Sequence, residues 1–250
     1  QISLPVKEDV PEIRAEDLKG IDRLLGSYSS YFNAYDSNRS KNVYLASRSI
    51  DDTLVRAGSV FSFNSQVGKR TQENGYKEAP VFINGKLVPD WGGGVCQVSS
   101  TLYNAVLLAD LEIVERTSHY SPPGYVPLGQ DATVADDQLD FQFTNTSQHN
   151  LYISSTIEGN RLTVQVFGSA DDPVEVRIVP LDKQVIPAPV VVKPDASLEA
   201  GRQIVEERGE SGYRIKIEKI RLRQGVEISR EIISSDDFPP SERIIRVRAK

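Results

Sequence analysis

Three consecutive glycines, Gly92-Gly93-Gly94, run through Val95 into Cys96 and on into a long apolar-periodic segment, QVSSTLYNAVLLADLEI. Within it Val98, Leu102, Ala105, Val106 and Ala109 fall at i, i+4, i+7, i+8 and i+11, one face of an α-helix. Leu107 and Leu108 widen the stripe, so the spacing predicts a helix over Cys96–Ala109 that is buried on most sides. Such a helix cannot lie on a surface. It needs other elements packed around it, and the glycines allow a tight turn just before it.

The remaining sequence can supply those elements. Of 250 residues, 39% are hydrophobic and 17 are glycine, an ordinary globular composition that excludes disorder for the bulk of the chain. Gln1 to about Lys19 is charged and carries Pro5 and Pro11, as a linker or tail would. Ile21–Leu25 is a short apolar run, followed by Ser/Tyr/Asn-rich sequence to Ser40. Asn42–Asp51 reads as a helix, and Leu54, Val55, Gly58, Val60, Phe61 and Phe63 as a turn and a short strand. Asn84-Gly85 between apolar runs is a hairpin signal, because both central residues of that turn need φ > 0. Asp140–Thr144, Leu151–Ile157 and Arg161–Phe167 alternate as strands, with Glu158-Gly159-Asn160 as a tight turn between the last two.

These features predict an antiparallel meander around one buried helix over residues 20–170. A boundary is expected near Ala170-Asp171-Asp172-Pro173. Beyond it, over 174–250, Val174–Val179, Tyr213–Leu222 and Val226–Ile233 read as strands, the last two split by Gln224-Gly225. Pro180, Pro187, Pro189 and Pro194 argue against regular helix there. The expected class is α+β: a mainly antiparallel β domain around one buried helix, followed by a small all-β module.

Composition also narrows function. A net charge of −6 and a pI near 5.1 exclude nonspecific nucleic-acid binding, which needs a basic surface. No apolar run approaches the ~18 residues of a membrane span. One cysteine excludes an internal disulfide and a Cys-rich zinc site. The two histidines lack the His-Glu-x-x-His spacing of a metal hydrolase, and there is no Gly-x-Ser-x-Gly elbow, so neither a metal nor a cofactor is expected. The chain has no methionine, even at position 1. It is therefore expected to be a processed product or an excised piece, from which a signal peptide or membrane anchor has been removed.

The cysteine is the candidate for chemistry. A helix N-terminus presents unpaired N–H groups and the positive end of the helix dipole, which stabilise a thiolate. The N–H groups of Gly94, Val95 and Cys96 are placed to hold an oxyanion, such donors being worth about 3–4 kcal/mol each in measured cases. The competing reading is that Cys96 is a small core residue and the glycines a turn. A phosphate-cradling loop is disfavoured by the missing Gly-Lys-Ser/Thr ending. A thiol nucleophile needs a base. His119, in Arg116-Thr-Ser-His-Tyr-Ser-Pro-Pro123, suits that role better than His149, which sits in a turn between strands. Asp131 and Asp140 are both candidates to orient the base, and either is equally at home as a turn or cap residue.

The motif string is specific. Val60-Phe-Ser-Phe-Asn64, Val67-Gly-Lys-Arg-Thr71, Asn74-Gly-Tyr76, Gly92-Gly-Gly-Val-Cys-Gln-Val-Ser-Ser-Thr-Leu-Tyr-Asn104, His119, Tyr125-Val-Pro-Leu-Gly129, Asp131-Ala-Thr-Val134 and Asp140-Phe-Gln-Phe143 together resemble the VanW family over about residues 20–168. That is an envelope-associated bacterial domain named from glycopeptide-resistance clusters. Glu199-Ala-Gly201, Gly209, Gly212 and Gly225 resemble a five-glycine (G-five) envelope module, without its usual final glycine.

The resemblance implies an extracytoplasmic, cell-envelope setting and a cysteine L,D-transpeptidase acting on peptidoglycan stem peptides. Carried over residue by residue, Cys96 would be the nucleophile and His119 its base; Asp131 is the expected third member on the residue reading. In that mechanism Arg70, Trp91, Gly93, Gly94 and Tyr125 are the expected substrate contacts, against competing readings of Trp91 as a hairpin-end packing residue and Arg70 as a solvated loop charge. The C-terminal module implies binding to cell-wall glycan. Gln130 stands where an arginine is common, and Ser121-Pro-Pro-Gly124 is unusual for the family. The rival expectation is a non-catalytic wall-binding protein with an inert Cys96.

Overall fold

A computed structural model describes residues 13–83, 86–169 and 174–248. In chain order the elements are β1 (Arg23–Tyr31), α1 (Ser37–Ile50), β2 (Thr53–Val55), β3 (Val60–Ser62), α2 (Phe63–Val67), β4 (Glu78–Ile83), β5 (Lys86–Trp91), α3 (Val95–Leu108), β6 (Glu112–Glu115), β7 (Gln142–Thr144), β8 (Leu151–Glu158) and β9 (Arg161–Gly168). The C-terminal part adds β10 (Glu175–Ile186), β11 (Val190–Asp195), β12 (Gln203–Glu207), β13 (Gly212–Arg223), β14 (Val226–Phe238) and β15 (Arg243–Arg248).

Alternation in β9 turns Leu162, Val164 and Val166 inward, each fully buried. Leu151 and Ile153 of β8 join them, and the two strands pair with β1 and β2 in an antiparallel sheet ordered β1-β9-β8-β2. Helix α3 lies on this sheet through Val98, Leu102, Ala105 and Val106, none of which reaches solvent. A second sheet, β3-β7-β6, stacks Phe61 on Phe143 with ring centroids 5.0 Å apart, and Phe141 meets Tyr103 of α3 edge-on at 5.6 Å. The α+β class and the buried helix therefore stand, with two antiparallel sheets and the separate hairpin β4-β5 where one meander was expected.

Strand β1 runs through the Ser/Tyr-rich stretch that showed no strand pattern. Its buried positions are Gly26 and Ser30, not large apolar residues. A Cβ on Gly26 would lie 2.2 Å from the Ala105 carbonyl, so the missing side chain lets α3 rest against the strand. Ser30 shares a 2.7 Å hydroxyl hydrogen bond with Thr101 of α3. Helix α1 begins at Ser37, earlier than expected, because Asp36 caps it by accepting from Arg39 N–H at 3.1 Å. Helix α3 starts at Val95, with Ala109 as its C-cap.

In the C-terminal module β10-β13-β14 form an antiparallel sheet. The β13–β14 hairpin turns at Gln224-Gly225, both at positive φ. In the sheet β11-β15-β12, β11 pairs with β15 in parallel. Prolines 180 and 194 sit inside strands and no helix forms among the described residues of this module. Ile215, Ile217 and Phe238 make its small core. Ile178 and Ile233 pack against both this core and that of the N-terminal domain, so the module is seated on the domain. The expected Asn84-Gly85 turn, the boundary at 170–173 and the tail over 1–12 lie outside the described residues.

Candidate active site

The turn before α3 is built from its glycines. Gly94 is the N-cap at φ 108°, a left-handed conformation, and a Cβ there would lie 2.9 Å from Arg39 Cγ. Gly93 lies against the Ala79 and Pro80 carbonyls, and its own carbonyl accepts from Asn42 Nδ2 at 3.0 Å. Val95 N–H donates to Gly92 O at 3.0 Å. That bond removes Val95 from the expected oxyanion donors and leaves the N–H groups of Gly94 and Cys96, the latter in the first helical turn beside the sulfur. Cys96 itself is partly exposed, with Sγ 3.4 Å from the Val134 carbonyl oxygen.

The polar residues of α3 explain how a loop residue reaches this helix. Ser99 Oγ donates to Ala132 O at 2.7 Å, and Ser100 Oγ accepts from Ala132 N–H at 2.9 Å. Asn104 Nδ2 donates to Gln130 O at 2.7 Å. Buried polar groups require partners, and these find theirs on the backbone of 130–132, which fixes Asp131 between them. Thr133 N–H donates to Thr117 O at 2.8 Å, tying this stretch to the one that carries His119.

Asp131 is fully buried, and its Oδ2 lies 2.6 Å from His119 Nδ1 and 2.7 Å from His119 N. With Nδ1–H held by the carboxylate, Nε2 is the basic ring nitrogen. His119 also acts on Cys96: each is a cause of the other's pKa shift, the thiol lowered and the imidazole raised. The structure thus assembles Cys96, His119 and Asp131 and decides between the two orienting acids. Asp140 instead holds the start of α2, accepting from Oγ of the N-cap residue Ser62 at 2.6 Å and from Asn64 N–H at 2.9 Å. The main-chain oxygen of His149 accepts from Asn145 and Ser147 in the turn before β8.

The charges follow from this packing. Burial opposes a charge on His119. The hydrogen bond to Asp131 and interaction with the Cys96 sulfur more than offset it and raise its pKa to about 9. Burial likewise pushes the Cys96 thiol up, but interaction with His119 and its charge, with help from Val134 and Arg70, bring it below the ordinary value. Asp131 is lowered despite burial by His119 and Arg116. The arrangement favours an imidazolium–thiolate pair.

Tyr125 enters the site as expected. Its hydroxyl lies 3.5 Å from His119 Nε2, and burial followed by the Cys96 charge keeps it protonated. Trp91 ends β5 with 36% exposure. Arg70 is buried and gripped by Asp136 and by Asn64 Oδ1 at 2.7 Å, so it reaches the site through its charge, not as a free donor. Sequence reading missed Arg39, whose guanidinium sits 6.0 Å from the Tyr125 ring centroid and donates to Gln97 Oε1 at 2.7 Å. Asp36 three residues earlier was the available signal, an N-cap that moves the helix start ahead of Arg39. Arg116 was also missed, although it lies three residues before His119. Among the described residues no group of three or more metal-ligating side chains occurs.

The fold and site define a cysteine–histidine–aspartate constellation at a helix N-terminus, in a domain bearing a β module. The model described as "VanW like protein" matches residues 38–167, and the chain belongs to this family; the G5 domain model follows at 181–250. "Uncharacterized protein YoaR" of Bacillus subtilis (strain 168) is 41% identical over 170 residues, covering 68% of this chain and 56% of that protein. "Vancomycin B-type resistance protein VanW" of Enterococcus faecalis (strain ATCC 700802 / V583) is 30% identical over 138 residues, covering 53% of this chain and 50% of that protein. The chain thus spans about half the length of the curated relatives it matches. Among solved structures, an IgA1 protease G5 domain matches at 25% identity with a TM-score of 0.26, covering 32% of this chain and 95% of that one.

Proposed function

We propose that the chain is an acyltransferase of the bacterial cell envelope, a cysteine L,D-transpeptidase of peptidoglycan. The observation that carries the reading is the partly exposed Cys96 at the start of α3, its thiol pKa lowered by a histidine whose Nδ1 is held by a buried aspartate. The G5 match and the resistance-protein relative support the envelope setting.

In this mechanism the Cys96 thiolate attacks the carbonyl of the third stem-peptide residue, and Cys96 N–H receives the developing oxyanion. The bond to the terminal D-alanine breaks, and the His119 imidazolium protonates the departing amine. A side-chain amine of a second stem then attacks the thioester, gives its proton to His119, and releases the thiolate with a new cross-link formed. Arg39 is suited to the carboxylate of the terminal D-alanine. Its guanidinium lies beside the Tyr125 ring and feels the Cys96 charge, and among the described residues it has no carboxylate at ion-pair distance.

The G5 match favours a second reading, a wall-binding protein without catalysis. Mass spectrometry of a disaccharide-tetrapeptide incubated with wild type and with Cys96→Ala separates the two. The enzyme reading expects cross-linked dimer and free D-alanine from wild type only. Substrate left unchanged by both proteins overturns it in favour of the binding reading.

A further inference from the structure

The Cys96–His119–Asp131 group does not end within the N-terminal domain. Asp131 Oδ1 is 3.1 Å from Arg116 Nη2, and the Asp131 main-chain oxygen accepts from Arg116 Nε at 2.6 Å. The same guanidinium reaches out of the domain, with Nη1 2.5 Å from Oδ1 of Asp236 on β14 of the C-terminal module. All three side chains are buried, at 0%, 8% and 7% exposure for Asp131, Arg116 and Asp236. One cation is thus shared by two carboxylates out of solvent, a setting in which loss of either partner is felt strongly. The neighbours of this bridge are few. Tyr103 of α3 lies under Arg116 at 5.5 Å, the Gly129 carbonyl is 3.4 Å from Nη2, and Ser234 Oγ is 3.4 Å from Asp236 Oδ2. The module also packs on the loop that carries Asp131, where Ile215 and Ile217 close against Gly129.

We infer that the C-terminal module completes the active site of the N-terminal domain. Asp236 is a positioning residue for His119, acting through Arg116 and Asp131. The inference rests on the Cys–His–Asp reading above and adds a function for the module beyond wall contact. With Asp236 present, Arg116 divides its charge between two acids, and Asp131 remains a strong acceptor for His119. With Asp236 neutral, Arg116 turns its charge on Asp131 alone, the carboxylate holds the imidazolium less firmly, and the 130–132 loop loses its outer anchor. The charged groups facing His119 are Asp131, Cys96 and, next out, Arg116. Arg116 pairs with Asp236 directly; Asp110, Glu112, Lys219, Arg221 and Glu231 line the same groove between the domains, and Asp182, Arg214, Lys216 and Asp237 line the cleft on its other side.

With only two histidines in the chain, the His119 imidazole can be titrated by NMR in the full protein, assigned with His149→Gln. Asp236→Asn keeps the shape and removes the charge. Asp237→Asn is the control, since it removes the same charge from the same strand where Asp237 meets the half-exposed Arg214. The expected result is a His119 midpoint lowered by about half a unit or more in Asp236→Asn, restored in part by Asp236→Glu, and unmoved in Asp237→Asn. Equal midpoints in wild type and Asp236→Asn, or equal shifts in both Asn variants, overturn the inference. Asp236→Ser, read by the same criteria, serves if the Asn variant is not recovered folded. The titration involves no peptidoglycan, so its failure is distinct from failure of the proposed activity. A raised wild-type midpoint with no Asp236 effect removes only the role of the module.

Discussion

Helix α3 carries Gln97, Ser99, Ser100, Thr101 and Asn104 at 0–2% exposure. In the C-terminal module the conspicuous polar pairs, Arg246 with Glu206 and Arg230 with Glu227, lie at the surface with side chains 30–47% exposed. The first set is buried and each of its members is hydrogen-bonded, so the geometry around it is over-determined. Moving one loop would leave several groups unsatisfied at once. The second set is hydrated and replaceable, and its module coheres through strand ladders and a three-residue core. Rigidity is therefore concentrated where Asp131, His119 and Cys96 must keep their distances. Asp236 is an instructive exception, a buried carboxylate of the module that faces the other domain.

The contrast can be broken most directly at Asp131. Asp131→Asn removes the charged partner of His119, and alkylation of Cys96 at neutral pH, followed by mass spectrometry, is expected to slow by at least about 100-fold. A change of twofold or less would mean that the buried network is not what activates the thiol. Next in size is Leu102→Ala in the fully buried face of α3, expected to cost about 2–5 kcal/mol in a urea titration. The smallest effect is Arg246→Gln. It removes pairs to Glu206 and Asp195 at the surface and is expected to leave the melting temperature unchanged. A large loss there would show that the module depends on its surface charges after all.

The same contrast explains what was legible in the sequence. Helix α3 and strands β8 and β9 announce themselves because large apolar residues repeat at periods of 3.6 and 2. Strand β1 does not, since its inward positions are Gly26 and Ser30, chosen to let a helix come close. Cys96 and His119 could be picked out, one by its glycine-flanked helix start and the other by its polar loop. Asp131 is the expected third member, but local pattern alone does not separate it from Asp140, because both are loop acids and the tertiary pairing of Thr117 with Thr133 is what sets one beside His119. Arg39 and Asp236 come from segments 57 and 140 residues away from Cys96, and no local pattern reports such a contact.

Protonation gives the account its pH dependence. His119 is raised to about 9 in the folded protein against roughly 6.5 when unfolded. Its contribution to stability is therefore fully present below about pH 6.5 and is lost as pH rises through about 9. Cys96 is lowered, so its ionised form contributes above its ordinary range and that contribution is lost as pH falls through its folded value. The measurement that tests the thiolate–imidazolium pair most directly is the rate of iodoacetamide alkylation of folded wild-type protein as a function of pH. The account predicts labelling without denaturant, with a midpoint clearly below the ~8.5 of a free cysteine. A thiol that stays unlabelled until the protein is unfolded, or that titrates at or above ~8.5, would contradict it.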